Sequence, residues 1–240
     1  MKPTLWKALQ SQVGRKVLNA VTGIGLVVFV ILHLAGNLTL FGSAEAFNRY
    51  TLQLESLGWF LYTTEFFLAL AFILHAAVGI SIWRKRRRAR PEHYNTYRSR
   101  GGPSHMTWYS RSMIFSGIVL LVFLVIHLND FKFAETKTIM IDGEQARDLK
   151  SVVIDTFVNP WHAFGYAFVM IVLGSHLAHG IWSSFTSLSL KRSPFTDKLY
   201  VAGVILAILL ALAFLFIPLY IYFTEGGGNL LTHSIKGVNL

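Results

Sequence analysis

Residues 160–184 have the sequence PWHAFGYAFVMIVLGSHLAHGIWSS, which contains no Asp, Glu, Lys or Arg. A helix needs about 20 such residues to cross the hydrocarbon core of a bilayer. Four other stretches of 21 to 25 residues are also strongly apolar, so the predicted helices are 17–41, 59–83, 111–131, 160–184 and 199–223. The sequence therefore predicts an all-α integral membrane protein with five transmembrane helices and one membrane domain over residues 1–240.

The composition of the whole chain agrees with lipid as its main solvent. Hydrophobic residues make up 53% and charged residues 14% of the 240 residues, against about 25% charged residues in an average soluble domain. The chain has no cysteine, which excludes disulfides, thiolate-bound iron–sulfur clusters and covalent haem attachment. A metal bound by side chains must therefore use histidine, methionine or carboxylate ligands.

Basic residues are concentrated in alternate connections between the predicted helices. Residues 1–16 carry four Lys or Arg and no acid, and residues 84–111 carry nine and one, whereas residues 129–159 carry four Lys or Arg and six acids. Because cytoplasmic loops carry the Lys and Arg excess, we expect the N-terminus, the second connection and the fourth connection to face the cytoplasm. The net charge of +10 is thus a topology signal, and we expect no nucleic-acid partner.

Five histidines lie deep inside the predicted helices, away from the membrane interface, where ionisable groups are costly and usually functional. They are His33, His75, His127, His176 and His179. The first four each lie about 24 Å into their own helix. Since consecutive helices run in opposite directions, His33 and His127 should meet near the outer face. For the same reason, His75 and His176 should meet near the cytoplasmic face.

Two histidine pairs at different depths fit two b-type haems, each with one imidazole on either side of the iron. Two alternatives to haem ligation are a proton relay and histidines that are hydrogen-bonded within the core. Depth does not separate His176 from His179, which lie three residues apart on one helix face.

Short motifs along the chain resemble the single-chain, five-helix, di-haem cytochrome b subunit of succinate dehydrogenases and fumarate reductases. The motifs are Ser11-Gln12-Val13-Gly14-Arg15-Lys16, Thr22-Gly23, His33-Leu34-Ala35-Gly36-Asn37-Leu38, Glu45-Ala46-Phe47-Asn48-Arg49-Tyr50, and the run from His176 to Phe185. In that family a glycine follows the fourth haem histidine by four residues, which favours His176, with Gly180, as the ligand. Some fumarate reductases carry a glutamate two residues before this histidine, where the present chain has Gly174.

The resemblance implies a di-haem b anchor of a succinate:quinone oxidoreductase in a bacterial inner membrane, as part of the respiratory chain and the tricarboxylic acid cycle. It implies His33 and His127 as ligands of the outer haem, and His75 and His176 as ligands of the inner haem. The implied partners are a flavoprotein subunit and an iron–sulfur subunit on the cytoplasmic face, membrane lipid, and a quinone that we expect to be menaquinone.

Other residues are candidates for weaker reasons. Glu65 is the acidic residue deep in a predicted helix, where it either hydrogen-bonds a neighbouring helix or transfers protons for the quinone. Residues at the cytoplasmic ends of the first and third helices could bind haem propionates or lipid headgroups; they are Arg15, Lys16, Asn19 and Arg111. The alternative functions are a cytochrome b of a hydrogenase or formate dehydrogenase, a proton-coupled transporter with a histidine relay, and a structural anchor.

Overall fold

The computed structural model describes residues 5–43, 45–89, 108–188 and 196–226. These residues form eight α-helices and one β-hairpin. The helices are α1 (Leu5–Gln10), α2 (Gln12–Asn37), α3 (Ala46–Ser56), α4 (Trp59–Arg88), α5 (Trp108–His127), α6 (Leu149–Phe157), α7 (Pro160–Ser187) and α8 (Thr196–Ile221); the strands are β1 (Thr138–Ile141) and β2 (Glu144–Arg147). A 3-10 turn, Leu38–Phe41, follows α2, and single π turns follow α5 and α8 at Leu128–Lys132 and Tyr222–Gly226.

Five helices, α2, α4, α5, α7 and α8, are long and apolar enough to cross a membrane. The chain is therefore a mainly helical, multi-pass membrane protein, and the five predicted helices are confirmed. The largest departures from the predicted ends are five residues each: α2 begins at Gln12, and α4 continues through Arg84–Arg88. Lys and Arg are good helix formers, so the helix can continue after its apolar part has ended. The direction in which each helix crosses the membrane stays a prediction.

The polar connection 129–159 contains the β-hairpin and α6. The two strands are antiparallel and joined by the two residues Asp142 and Gly143. Both have positive φ, at 52° and 86°, as the two central positions of a type I′ hairpin turn require. An Asp-Gly pair is among the most frequent sequences for this turn, because both residues tolerate the left-handed region.

The short helix α3 is joined to the beginning of α6 by the buried side chain of Asn48. Its Nδ2 donates to Oδ1 of Asp148 at 2.8 Å, and its Oδ1 accepts from the backbone N–H of Lys150 at 2.8 Å. Asp148 is also the N-cap of α6 and accepts from Ser151. Partial burial opposes ionisation of Asp148, but hydrogen bonds from Ser151 and Asn48 and the charge of Lys137 outweigh it and lower its pKa.

The backbone contacts divide the chain into two compact units. The first unit comprises residues 1–29, 65–118 and 175–208, and the second comprises residues 30–64, 119–174 and 209–240. Each of the five long helices contributes one segment to each unit. The second unit has a core of buried side chains from α3, α6, α7 and α8 and the turn after α2; they are Leu40, Phe47, Val153, Phe157, Tyr166, Ile217 and Ile221.

Gly36, one turn after His33 on α2, lies directly against the ring of Tyr50 from α3. A Cβ at this position would lie 2.6 Å from Cε1 and from the hydroxyl oxygen of Tyr50, well inside van der Waals contact. Only glycine therefore permits this approach. The contact fixes α3 beside the turn of α2 that carries His33.

Candidate functional site

The first unit contains one of the two histidine pairs that the sequence predicts. His75 on α4 and His176 on α7 face each other with ring centroids 6.4 Å apart and ring planes at 68°. The two histidines lie on different helices and are 101 positions apart in the sequence. Their approach is therefore a property of the tertiary fold and not of local sequence.

Hydrogen bonds orient both rings of this pair. Nδ1 of His75 lies 3.2 Å from the backbone oxygen of Asn19, and Nδ1 of His176 lies 2.9 Å from Oγ of Ser116. The Ser116 hydroxyl donates its own proton to the backbone oxygen of Met113, so it accepts from His176. Both Nδ1 atoms therefore carry a proton, and each ring has Nε2 as the nitrogen with a free lone pair.

Glycines on the neighbouring helices lie next to both rings, and the one beside His75 leaves little space for a larger residue. A Cβ at Gly23 of α2 would lie 3.1 Å from Cε1 of His75, and a Cβ at Gly117 of α5 would lie 3.7 Å from Cε1 of His176. Thr22 adds its hydroxyl 3.4 Å from Nδ1 of His75. The two histidines are thus held between α2 and α5 as well as on α4 and α7.

The second unit contains the other predicted pair. His33 on α2 and His127 on α5 have ring centroids 5.7 Å apart and ring planes at 85°. The His33 ring stacks on Phe214 of α8 at 6.0 Å and 25°. Nδ1 of His127 is buried and has no hydrogen-bond partner within the described residues. A buried polar atom in this state suggests a ligand outside the polypeptide.

Aromatic side chains surround His127 and extend to a polar group that the sequence analysis missed. Phe123, Phe131 and Tyr166 have ring centroids 5.5, 5.2 and 6.2 Å from that of His127. The Tyr166 hydroxyl donates to Oδ2 of Asp130 at 2.7 Å. Asp130 lies three residues after His127, and this spacing in the sequence could have indicated that the two side chains lie on one side of the helix.

The ring separation of His75 and His176 fits ligation of one haem iron by two imidazoles, and the separation of His33 and His127 is slightly shorter. With metal–nitrogen bonds of about 2.0–2.1 Å on both sides, two axial imidazoles have ring centroids about 6–6.5 Å apart. The observed separations of 6.4 and 5.7 Å lie at or just below this range. Within the described residues, no group of three or more His, Asp or Glu side chains could hold a metal ion.

The exposure of α4 is also consistent with a large apolar ligand. No side chain of α4, including that of His75, is buried by the protein itself. The apolar surface around His75 must therefore be covered by lipid, by a cofactor or by another chain.

Two of the four candidate propionate partners, Asn19 and Arg15, make hydrogen bonds within the first unit. Asn19 provides the backbone acceptor for His75, and its side-chain Oδ1 is buried without a hydrogen-bond partner in the described part of the chain. Arg15 donates to Ser81 of α4 at 2.7 Å. Lys16 is exposed, and the side chain of Arg111 lies outside the described residues. Their role as propionate partners stays a prediction.

Glu65 and His179 also lie in the first unit. Glu65 is half-buried on α4, ten positions before His75, which is about 15 Å along the helix. His179 is half-buried on α7 and lies close enough to the charged Arg86 to interact with it electrostatically. His176, by contrast, is the α7 histidine whose ring faces His75.

Comparisons with known proteins neither support nor contradict the family resemblance. The search found no matching family model, no matching curated protein and no matching solved structure.

Proposed function

We propose that this chain is the di-haem b membrane anchor of a succinate:quinone oxidoreductase. The observation that carries the proposal is the pairing of four intramembrane histidines, with α2 opposite α5 and α4 opposite α7. When bound, each haem would supply one-electron redox chemistry between a soluble electron donor and a membrane quinone. The motif resemblance supports the choice of succinate dehydrogenase or fumarate reductase over other respiratory complexes.

The polypeptide's own contribution is to position the imidazoles. Hydrogen bonds from Nδ1 of His75 and His176 orient these rings and leave Nε2 as the nitrogen available to a metal, a common arrangement for metal-bound histidine. His75 with His176, and His33 with His127, would each hold one haem, which would then carry electrons without an open coordination site for oxygen.

The soluble subunits are proposed from the resemblance. A flavoprotein subunit and an iron–sulfur subunit would dock on the cytoplasmic face, where the basic connections are expected, and the anchor would deliver electrons to the quinone or take them from it. Positive charge on this face would steer acidic partner surfaces towards it. The dicarboxylate chemistry would then belong to the flavoprotein, and the share of this chain would be the quinone reaction.

The first test is the haem content of the complex purified with its soluble partners. Reduced-minus-oxidised spectra and pyridine haemochrome analysis should give two b-type haems per chain, together with a succinate-reducible fraction. A hydrogenase or formate dehydrogenase subunit would give the same haem content with different co-purified proteins. A folded, colourless protein would contradict the proposal and favour the transporter with a histidine relay.

The Glu65→Gln variant should lose quinone-coupled turnover while both haem spectra persist. Glutamine has nearly the same shape as glutamate but cannot exchange a proton, and general acid–base catalysis contributes about 10²–10⁴-fold to rates. We therefore expect succinate:quinone activity to fall by about 100-fold. Succinate-dependent reduction of an artificial dye, which does not need the quinone site, should stay unchanged.

The matched control is Glu135→Gln, which makes the same chemical change at an exposed position. Both of its activities should equal those of the wild type. Wild-type quinone activity in Glu65→Gln would leave Glu65 with a purely structural role.

A further inference from the structure

Asp130 is an acidic residue whose place in the fold the proposed function does not explain. It follows His127 by three residues, within the π turn Leu128–Lys132 that ends α5. Its side chain is only 13% exposed. A carboxylate with so little access to water needs strong hydrogen bonds or a counter-charge.

The hydroxyl of Tyr166 provides that hydrogen bond and links Asp130 to the histidine pair. Tyr166 is 7% exposed, and its O–H donates to Oδ2 of Asp130 at 2.7 Å. Its ring lies 6.2 Å from the ring of His127, 4.9 Å from Phe123 and 5.1 Å from Phe157, measured between centroids. One buried side chain therefore contacts both His127 and the carboxylate, so their separation is fixed by packing.

Aromatic rings pack beside Tyr166, the hydrogen-bond donor of the carboxylate. The rings of Phe131 and Phe157 pack 5.8 Å apart beside Tyr166, and such apolar packing lowers the local dielectric constant. Nε2 of His162 lies 3.9 Å from Oδ2 of Asp130, and this pair is attractive only when His162 is protonated. A charge in such a place acts on its neighbours more strongly than a charge on an exposed surface does.

We propose that Asp130 lowers the redox potential of the haem held by His33 and His127, as a fixed negative charge beside its axial ligand. This inference rests on the proposed function. Ferric haem with two neutral imidazoles carries one more positive charge than ferrous haem. The carboxylate stabilises the ferric form, and reduction adds one electron with no bond made or broken. Asp130 acts through the field at His127 and is not itself a ligand.

The test is a potentiometric titration of both haems in the purified complex, in the wild type and in Asp130→Asn. The asparagine keeps an oxygen that can accept from Tyr166 and removes the charge. We expect the one-electron equilibrium of this haem to shift about tenfold towards the ferrous form, which is about +59 mV. The haem held by His75 and His176 should keep its potential. The two signals are assigned by the one that is lost in His127→Ala.

Two further variants separate charge from structure. Asp130→Glu keeps the charge and should return the potential close to the wild-type value. Asp155→Asn removes one carboxylate from α6, at an exposed position of the same unit, and should leave both potentials unchanged because water and salt screen it. If Asp130→Asn fails to fold, Asp130→Ser removes the same charge with a smaller side chain and should raise the same potential by a comparable amount.

The outcomes distinguish this inference from the proposed function. Two haems with an Asp130→Asn shift no larger than that of Asp155→Asn overturn the role of Asp130 and leave the proposed function intact. An equal rise in Asp130→Glu and Asp130→Asn also overturns it, because the charge would then not be the cause. Wild-type protein without haem overturns both.

Discussion

The complex with His75→Ala should contain one b-type haem in place of two, and the complex with His127→Ala should contain the other one. Alanine removes one of the two axial nitrogens, and the ring that remains cannot hold the iron from both sides. The proposed opposite ligands are His176, with its ring centroid 6.4 Å from that of His75, and His33, with its ring centroid 5.7 Å from that of His127. We therefore expect each variant to lose half of its pyridine haemochrome signal per chain.

The two losses should be independent because the pairs share no residue. His75 and His176 belong to the first unit, whereas His33 and His127 belong to the second. Low-temperature difference spectra should therefore show a different absorption band missing in each variant. The double variant should contain no haem.

His162→Ala is a suitable control for these variants, because it also removes an imidazole from the predicted membrane region. His162 lies on the first turn of α7, with its side chain 41% exposed. This variant should retain two haems. Loss of the same spectral band in His75→Ala and His127→Ala would contradict the assignment of the two pairs, whatever the total haem content.

The membrane helices were predictable from composition because few other structures satisfy the backbone in lipid. Residues 160–184 lie within α7, for example, and Pro160 begins it, as expected of a residue that is favoured in the first helical turn. The two ring pairs also followed from depth, since helices that alternate in direction repeat the same level in every second helix. Their coordination chemistry stays a prediction.

The groups that orient the rings could not be predicted in the same way. Ser116 lies 60 positions from His176, and Tyr166 lies 36 positions from Asp130. Such contacts depend on the rotation of each helix about its axis. The nearly uniform apolar surface of α5 gives no sequence signal for that rotation. The hairpin was different, because the Asp142-Gly143 pair was a local signal that the sequence analysis did not use.

Substitutions of His176 and His179 should have opposite effects on haem content. His176→Ala should lose the same haem as His75→Ala, whereas His179→Ala should retain both haems. The reason is geometric: the His176 ring faces His75, and Ser116 holds its Nδ1 at 2.9 Å, so Nε2 is free for a metal. The haem held by His33 and His127 is an internal standard in both variants, since its signal shows that the protein is folded.

Ser116→Ala extends this test beyond the ligand itself. The substitution removes the acceptor for Nδ1 of His176 and leaves His179 untouched, so it weakens binding only if His176 is the ligand. Loss of a hydrogen bond to a metal-bound histidine typically costs about 10–100-fold in metal affinity, and we expect a comparable loss of haem retention during purification. If His179→Ala lost the haem while His176→Ala and Ser116→Ala retained it, α7 would have to present its other histidine to His75. The serine contact would then have no role in ligation.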